Sequence, residues 1–192
     1  MAEETFSDLG RVEAIAKLYE GTPYKPSENN CFETSGKSLI ITKARTFIEG
    51  IDFDLTYFPL KHLGYKSVVV GCSDIYAMNG RPTGITVSIG VSAKLSVENL
   101  DELYEGIRAA CEDYGIDLLG GDTRASVTGL VISISTVGTV AKDKITYRDG
   151  AKLHDLICIT RDLGSAYLGL KLLEREKIAL QGVQNAQPRF EG

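Results

Sequence analysis

The spacing of apolar residues along the chain predicts four helices. A helix is predicted from Pro59 to the Asn79-Gly80 pair, because proline suits a first helical turn and the apolar middle of this stretch indicates burial on most sides. Ser96 is expected to cap the helix that follows it. Three further stretches carry apolar residues at helical spacing: residues 10–20, 97–114 and 165–177.

Strict alternation of apolar and polar residues predicts strands over residues 85–91 and 130–140. Short apolar runs predict two more strands, over 38–42 and 155–160. The Gly120-Gly121 pair indicates a turn between strands. This order of elements predicts an α/β (α+β) fold in which a mixed sheet carries its helices on one face.

Composition narrows the class of protein. The chain has 192 residues, enough for one domain and a remainder, and its 43% hydrophobic and 24% charged residues are typical of a soluble globular protein. The net charge of −5 argues against a nucleic-acid partner but not against a phosphate ligand, which metal ions and backbone N–H groups can also hold. Residues 151–192 contain one predicted strand and one predicted helix, too little for a core of their own.

Targeting and cysteine patterns favour a cytoplasmic protein. The sequence has no apolar run of the ~18 residues that span a bilayer, so no membrane association is expected. Its first ten residues are acidic and do not resemble a secretory signal. The four cysteines form no C-x-x-C pair, which argues against a zinc site and a disulfide framework and favours buried thiols.

Acidic residues beside glycine or other small residues are the candidate chemistry. Hard cations such as Mg2+ prefer carboxylate oxygens, and scattered carboxylates that folding brings together would suit them. Each cluster also has a structural interpretation, as a turn or a solvated loop. The clusters are Glu49-Gly50-Ile51-Asp52, Ser73-Asp74, Gly120-Gly121-Asp122-Thr123 and Arg148-Asp149-Gly150.

Asp74 is the least easily explained of these residues, because it lies inside the apolar predicted helix. A buried carboxylate without a partner costs several kcal/mol or becomes protonated, so a functional role is favoured over a helix-surface position. Complete nucleophile-elbow, P-loop and Rossmann glycine motifs are absent from the sequence. The candidate chemistry therefore rests on carboxylates and on Arg148.

Three segments in order carry a family resemblance: TFIEGIDFDLTYFPLKHLGYKSVVVGCSDIYAMNGRP, LLGGDT and YRDGA. Together they resemble thiamine-monophosphate kinase, a member of the superfamily of ATP-using enzymes that includes aminoimidazole ribonucleotide synthetase and selenophosphate synthetase. The resemblance runs from about Asp8 to the end of the chain.

The resemblance implies a domain organisation and a reaction. Residues 1–150 would form an N-terminal domain that binds ATP and Mg2+ and joins a second copy in a homodimer, and residues 151–192 would begin an incomplete C-terminal domain. ATP and thiamine monophosphate would give ADP and thiamine diphosphate by direct attack on the γ-phosphoryl group. The implied metal residues are Asp74 and Asp122, the implied substrate residue is Asp52, and the implied ATP contacts are Thr46, Asp122, Thr123 and Arg148.

Several positions depart from the family pattern. Residues 27–30 replace a Gly-Asp-Asp motif, Gly71 replaces an asparagine, Arg161 replaces a glycine, and Arg45 replaces a metal-binding aspartate. A guanidinium offers no lone pair, and at ~4.5 Å from a divalent ion the repulsion is on the order of 7 kcal/mol at an effective dielectric of ~20. Arg45 is therefore expected to turn towards solvent or a nucleotide phosphate, or else the metal is lost; we favour loss of the metal and very low kinase activity.

These departures leave three functions open. The first is a truncated or diverged thiamine-monophosphate kinase. The second is a non-catalytic remnant that acts as a dimerisation module. The third is a related ATP-dependent synthetase with another acceptor.

Overall fold

A computed structural model describes residues 10–22, 31–33 and 36–180 of the chain. The helices in these ranges are α1 (Arg11–Leu18), α2 (Leu60–Ala77), α3 (Val97–Tyr114) and α4 (Ser165–Leu180). The strands are β1 (Cys31–Glu33), β2 (Ser38–Ile48), β3 (Arg81–Val91), β4 (Asp117–Ala125) and β5 (Val131–Ala141).

The five strands form one mixed sheet in the order β1-β2-β5-β3-β4. Strands β3 and β4 are parallel, and the other neighbouring pairs are antiparallel. Strand β1 pairs with β2 only at Leu39, Ile40 and Ile41. The predicted mixed sheet is confirmed.

Helices α2 and α3 pack on each other and cover one face of this sheet, as predicted. Alternate residues of β3 and β5, such as Ile85 and Ile134, point into the core between helices and sheet. The two helices approach closely at Gly64 and Gly106, where a Cβ atom would collide with the backbone of the opposite helix. Glycine at these positions therefore sets the spacing of the helix pair.

Helix α3 has the bounds and the cap that the sequence predicts. Ser96 Oγ accepts a hydrogen bond from the Asn99 backbone N–H, and the Asn99 side chain accepts one from the Ser96 backbone N–H. Gly115 ends the helix in the left-handed conformation with φ 62°, which glycine adopts without steric cost.

The opposite face of the sheet, called here the open face, carries small and polar side chains. Thr86, Ser88 and Ser135 are exposed and Ser133 is partly exposed. Among the described elements, only α2 and α3 pack on strands. The part of the chain that the structure describes therefore leaves the open face accessible.

Two predicted features are wrong. Gly120 and Gly121 lie within β4 rather than in a turn, and a Cβ on Gly121 would collide with the Val87 backbone, so glycine permits this close strand pairing. Residues 155–160 are irregular and exposed rather than a strand, and the described chain offers them no neighbouring strand to pair with. Strand β2 also extends to Ile48, six residues beyond its predicted end.

Residues 151–180 expose most of their apolar side chains. Helix α4 forms over 165–180, which confirms the predicted helix. The buried thiols predicted for all four cysteines are found at Cys72 and Cys111, whereas Cys158 is exposed. None of the helices in the described ranges combines the length and apolarity needed to cross a membrane. The exposed apolar residues within 151–180 include Leu153, Leu156, Ile157, Leu163, Tyr167 and Leu168.

Candidate functional site

Asp74 is surrounded by three basic side chains. Its Oδ2 lies 3.6 Å from Lys43 Nζ and 4.0 Å from Arg45 Nε, and its Oδ1 accepts a hydrogen bond of 3.4 Å from Arg148 Nη2. The Asp74 side chain is 17% exposed. The buried carboxylate without a partner, anticipated from the sequence, therefore has three partners in the structure. We call these four residues the Asp74 cluster.

Strand alternation explains how two of these cations reach Asp74. Lys43 and Arg45 have the same parity in β2 as the buried residues Ile41 and Phe47, so they point to the face that α2 covers. Helix α2 packs on β2 and presents Asp74 towards them. Sequence analysis missed Lys43 because residues 43–48 show no regular alternation of apolar and polar residues, so the strand was expected to end at Thr42.

Hydrogen bonds between a loop and the end of α2 bring Arg148 to the cluster. The Thr146 backbone N–H donates to the Met78 carbonyl at 3.2 Å. The Asn79 side chain donates to the Lys144 carbonyl at 3.0 Å. Asn79 itself has φ 60°, a left-handed conformation that asparagine tolerates better than most residues. The turn after α2 thus anchors the loop that carries Arg148.

Close packing of α2 on β5 explains why position 71 is glycine and not the asparagine expected from the family resemblance. A Cβ atom at this position would lie 3.0 Å from Ile134 Cγ2 and 3.3 Å from Thr136 Oγ1. The asparagine that the family resemblance anticipates here would force β5 or α2 to shift. Gly71 therefore belongs to the contact between helix and sheet rather than to the Asp74 cluster.

A pocket at the outer edge of β2 brings two other predicted residues together. It has a volume of about 270 Å3, and Thr46 and Asp52 line it together with Arg45 and Lys66. We call it the strand-edge pocket. Arg45 belongs both to this pocket and to the Asp74 cluster, so the two sites are continuous.

Asp52 and Glu49 also have structural roles. Asp52 Oδ2 accepts a 2.8 Å hydrogen bond from the Ile48 backbone N–H, which closes the turn after β2. Glu49 Oε2 accepts a 2.6 Å hydrogen bond from the Leu130 backbone N–H, next to the start of β5. These hydrogen bonds support the structural interpretation of both carboxylates, while Asp52 additionally lines the strand-edge pocket.

A larger groove adjoins Asp52. Its volume is about 790 Å3, and it lies between residues 50–58 and helix α4. Aromatic side chains and carboxylates line it, and Asp52 and Lys66 belong both to the groove and to the strand-edge pocket. The aromatic residues are Phe53, Tyr57, Phe58 and Tyr167, and the carboxylates are Asp52, Asp54 and Glu174.

Asp122 lies on the open face of the sheet, opposite the helix-covered face that holds Asp74. The register aligns Thr46, Ser133, Ser88 and Asp122 in one row across β2, β5, β3 and β4. Thr46 and Asp122 are thus three strand spacings apart, about 14 Å. Asp122 Oδ2 lies 3.0 Å from Arg124 Nε, and its Oδ1 accepts a hydrogen bond from the Thr123 backbone N–H at 2.9 Å.

The structure therefore assembles some of the predicted site and separates the rest. Asp74 meets Arg148, and Thr46 meets Asp52 in the adjoining pocket. Asp122 faces the open side of the sheet with Thr46 and Ser88, whereas Asp74 lies on the helix-covered side. The described residues contain no cluster of three or more acidic, histidine or cysteine side chains that could hold a metal ion.

The buried thiols of the core are not suited to nucleophilic chemistry. Burial raises the pKa of Cys72 to about 11 and also raises the pKa of Cys111 above its usual range. Both thiols therefore stay protonated at neutral pH, and only the thiolate is a good nucleophile.

Comparison with known proteins identifies the domain. Residues 27–140 match the family model described as AIR synthase related protein, N-terminal domain, and this match covers more than half of the chain. The chain belongs to this family. The matched range includes β1 to β5, α2 and α3 almost entirely, so the AIR synthase related domain coincides with the sheet and its helix layer.

Relatives of this AIR synthase related chain include thiamine-monophosphate kinases. The enzyme of Bacillus subtilis is 35% identical over 131 residues, which are 68% of this chain and 40% of the relative. The enzyme of Aquifex aeolicus is 32% identical over 177 residues, which are 92% of this chain and 56% of the relative. The chain therefore spans about half the length of the curated relatives it matches.

Solved structures show the same fold. AaThiL, solved in complex with AMPPCP and TMP, superposes on 98% of this chain with a TM-score of 0.83 at 26% identity, over 58% of its own length. Thiamine monophosphate kinase from Aquifex aeolicus superposes on 90% of this chain with a TM-score of 0.74 at 29% identity, over 56% of its own length. These matches confirm the predicted α/β (α+β) fold.

Proposed function

We propose that this chain is the nucleotide-binding part of a thiamine-monophosphate kinase that uses ATP to make thiamine diphosphate. The observation that carries the proposal is the superposition of nearly the whole chain on AaThiL, a protein solved with AMPPCP and TMP. The thiamine-monophosphate kinase of Aquifex aeolicus, which aligns with 92% of the chain, supports it. A cytoplasmic location fits such a biosynthetic kinase.

The proposed reaction is a direct phosphoryl transfer. A phosphate oxygen of thiamine monophosphate attacks the γ-phosphorus of ATP, the bond to the β,γ-bridging oxygen breaks, and ADP leaves. Such a transfer depends on positioning and on neutralisation of the phosphate charge. Arg148 and Arg45 supply positive charge beside Asp74, and Thr46 lines the adjoining pocket.

The groove beside Asp52 suits the thiamine part of the substrate. Thiamine carries a cationic ring, and aromatic faces and carboxylates attract such cations. Tyr57, Phe58 and Tyr167 line the groove, and Asp52 lies at its junction with the strand-edge pocket. Thiamine monophosphate would place its ring in the groove and its phosphate towards Lys66 and Arg45.

Mg2+ at Asp74 and Asp122 remains a prediction from the resemblance, and the described residues of one chain do not fit it. Both Asp74 oxygens face cationic nitrogens, and Asp122 lies on the opposite side of the sheet beside Arg124. A magnesium ion requires about six oxygen ligands in octahedral geometry. The proposed reaction is therefore described here through the protein's own residues. Thr123 remains a proposed ATP contact beside Asp122 on β4.

A homodimer formed through the open face is also part of the proposal. Thr86, Ser88, Ser133 and Ser135 leave room for a second sheet to approach. Ile48 is 39% exposed and Val137 is 36% exposed, and by strand alternation both belong to this face. Burial of these apolar side chains would contribute to association.

Product analysis tests the proposed activity. With ATP and thiamine monophosphate, chromatography is expected to detect thiamine diphosphate and ADP in equal amounts. Arg148→Gln should lower kcat/KM about ten- to a hundred-fold, the usual effect of losing one hydrogen bond to a charged group. Lys61→Gln is the matched control, because Lys61 pairs with Glu105 at the far end of α2, about 20 Å along the helix from Asp74.

Two results would contradict the kinase. Turnover with selenide or an aminoimidazole precursor, and none with thiamine monophosphate, would assign the chain to a related synthetase. Neither turnover nor ATP binding would assign it to the second candidate, a non-catalytic dimerisation module. The contact between Arg45 and Asp74, at 4.0 Å, is the observation that favours this second candidate.

A further inference from the structure

The Asp74 cluster carries more positive than negative charge. Lys43, Arg45 and Arg148 converge on the single carboxylate of Asp74 at 3.6, 4.0 and 3.4 Å. The adjoining strand-edge pocket adds one basic and one acidic side chain, Lys66 and Asp52, and leaves the excess unchanged. The excess of two positive charges equals the charge of one divalent cation.

The cations occupy the surroundings of Asp74 that a metal ion would need. Asp74 Oδ2 faces Lys43 and Arg45, and Oδ1 faces Arg148. Ammonium and guanidinium groups donate hydrogen bonds but have no lone pair for a metal. A divalent ion bound to Asp74 would displace these groups and be repelled by them.

The same arrangement is open to an anion. The Arg45 side chain is 45% exposed and the Arg148 side chain is 62% exposed, so their N–H groups can reach a ligand while Asp74 keeps the nearly buried Lys43. Guanidinium groups bind phosphate through two parallel hydrogen bonds. The strand-edge pocket, at about 270 Å3, is just smaller than the ~300–1,000 Å3 of typical ligand pockets, so it suits phosphate groups rather than a whole nucleotide.

We propose that Lys43, Arg45 and Arg148 replace the divalent cation, so that this chain binds the phosphates of ATP without Mg2+. The inference rests on the proposed function, in which Arg45 and Arg148 neutralise phosphate charge beside Asp74 during transfer from ATP. Arg45 is its decisive residue, because it connects the Asp74 cluster to the strand-edge pocket.

Calorimetry with the full chain and ATP, in EDTA and in excess Mg2+, tests this proposal. The expected result is an affinity in EDTA equal to or tighter than that in Mg2+, since free ATP carries more negative charge. Binding that appears only with Mg2+ would overturn the inference and leave the proposed kinase intact. The absence of binding under both conditions would overturn the nucleotide site itself.

Two variants of Arg45 test whether this side chain takes the place of Mg2+ in ATP binding. Arg45→Gln should weaken ATP binding in EDTA about ten- to a hundred-fold, because it removes one charged hydrogen-bond donor. Arg45→Asp should make ATP binding depend on Mg2+, with weak affinity in EDTA and recovery when Mg2+ is added. Lys61→Gln should bind like the unmodified chain, and circular dichroism should show that each variant is folded. Unchanged affinity of folded Arg45→Gln in EDTA would overturn the proposal.

Discussion

The two faces of the sheet hold similar acidic residues in different surroundings. On the helix-covered face, Asp74 is 17% exposed and has three basic partners. On the open face, Asp122 is 58% exposed and pairs with Arg124, which is 82% exposed. Charges held away from water interact more strongly and are screened less by salt than exposed ones. The same side chain can therefore support a defined site on one face and contribute little on the other.

The largest loss of stability within a single chain is expected from adding side-chain volume between the helices that cover the sheet. Gly106→Ala places a Cβ against the Lys61 carbonyl of α2, so the two helices must separate. Overpacking of this kind costs about 1–3 kcal/mol, occasionally more, and we expect the upper part of this range because backbone atoms collide. Urea unfolding measures the loss.

Gly169→Ala is the matched control for that substitution. Gly169 lies in helix α4, and a Cβ there would have no atom within 4 Å. Higher helix propensity should leave stability unchanged or raise it by up to about 1 kcal/mol. Equal losses for the two variants would show that helix packing is not the reason for glycine at residue 106.

A charge on the open face is expected to dissociate the proposed dimer. Ser135→Arg would place like charges from two copies in one interface, which costs several kcal/mol, so dissociation should become about a hundredfold easier or more. Sedimentation should show monomers where the unmodified chain shows dimers. Glu102→Arg, on the exposed surface of α3, adds positive charge elsewhere and should leave the dimer intact. A monomeric unmodified chain at micromolar concentration would contradict the dimer.

Removing each aspartate charge compares the two faces directly. Asp74→Asn leaves three cations without their common carboxylate and should reduce the free energy of unfolding by about 1–3 kcal/mol. Asp122→Asn weakens one exposed pair and should cost at most about 0.5 kcal/mol. Denaturant titrations measure both, and similar losses would contradict the distinction. The resemblance separately predicts weaker ATP binding for Asp122→Asn, which calorimetry checks.

The smallest effect concerns pH at the contact between α2 and α3. The Tyr65 hydroxyl donates a 3.0 Å hydrogen bond to Asp113, which raises the pKa of Tyr65 to about 12. Because the folded pKa is above the unfolded value of about 10, this contribution to stability is complete below pH ~10 and is lost as pH rises towards ~12. Burial also raises the pKa of Tyr76 and of Tyr104, so the measurement is a difference: tyrosinate absorbance of Tyr65→Phe should lack one late titration that the unmodified chain shows. A Tyr65 titration near pH 10 would contradict the hydrogen bond.

The spacing of apolar residues predicted the helices well, because this spacing and the capping residues lie within one continuous segment. The bounds of α3 and its Ser96 cap followed from periodicity and one polar residue. Strand β4 was not predicted, since its glycines are explained only by the neighbouring strand β3, which lies more than thirty residues earlier in the chain. Pairing partners distant in sequence decide such a segment, and a single segment does not reveal them.

Sequence analysis identified most residues of the candidate site but did not predict which of them contact each other. Asp74, Arg148 and Arg45 were all identified, yet the contact between Asp74 and Arg148 joins residues 74 positions apart in the sequence. The separation of Asp74 from Asp122 depends on the faces of α2 and β4, which follow from the sheet order. The proposed Gly-Asp-Asp replacement at residues 27–30 lies outside the described residues.

The central claim is that protein cations, rather than a divalent metal, balance Asp74. Crystals of the chain grown with ATP and Mn2+ test it most directly, because anomalous scattering locates Mn2+ independently of the phosphates. We predict that Asp74 coordinates no Mn2+ and that phosphate oxygens lie within hydrogen-bond distance of Arg45 and Arg148. An Mn2+ ion bound to Asp74, with Arg45 turned into solvent, would contradict it.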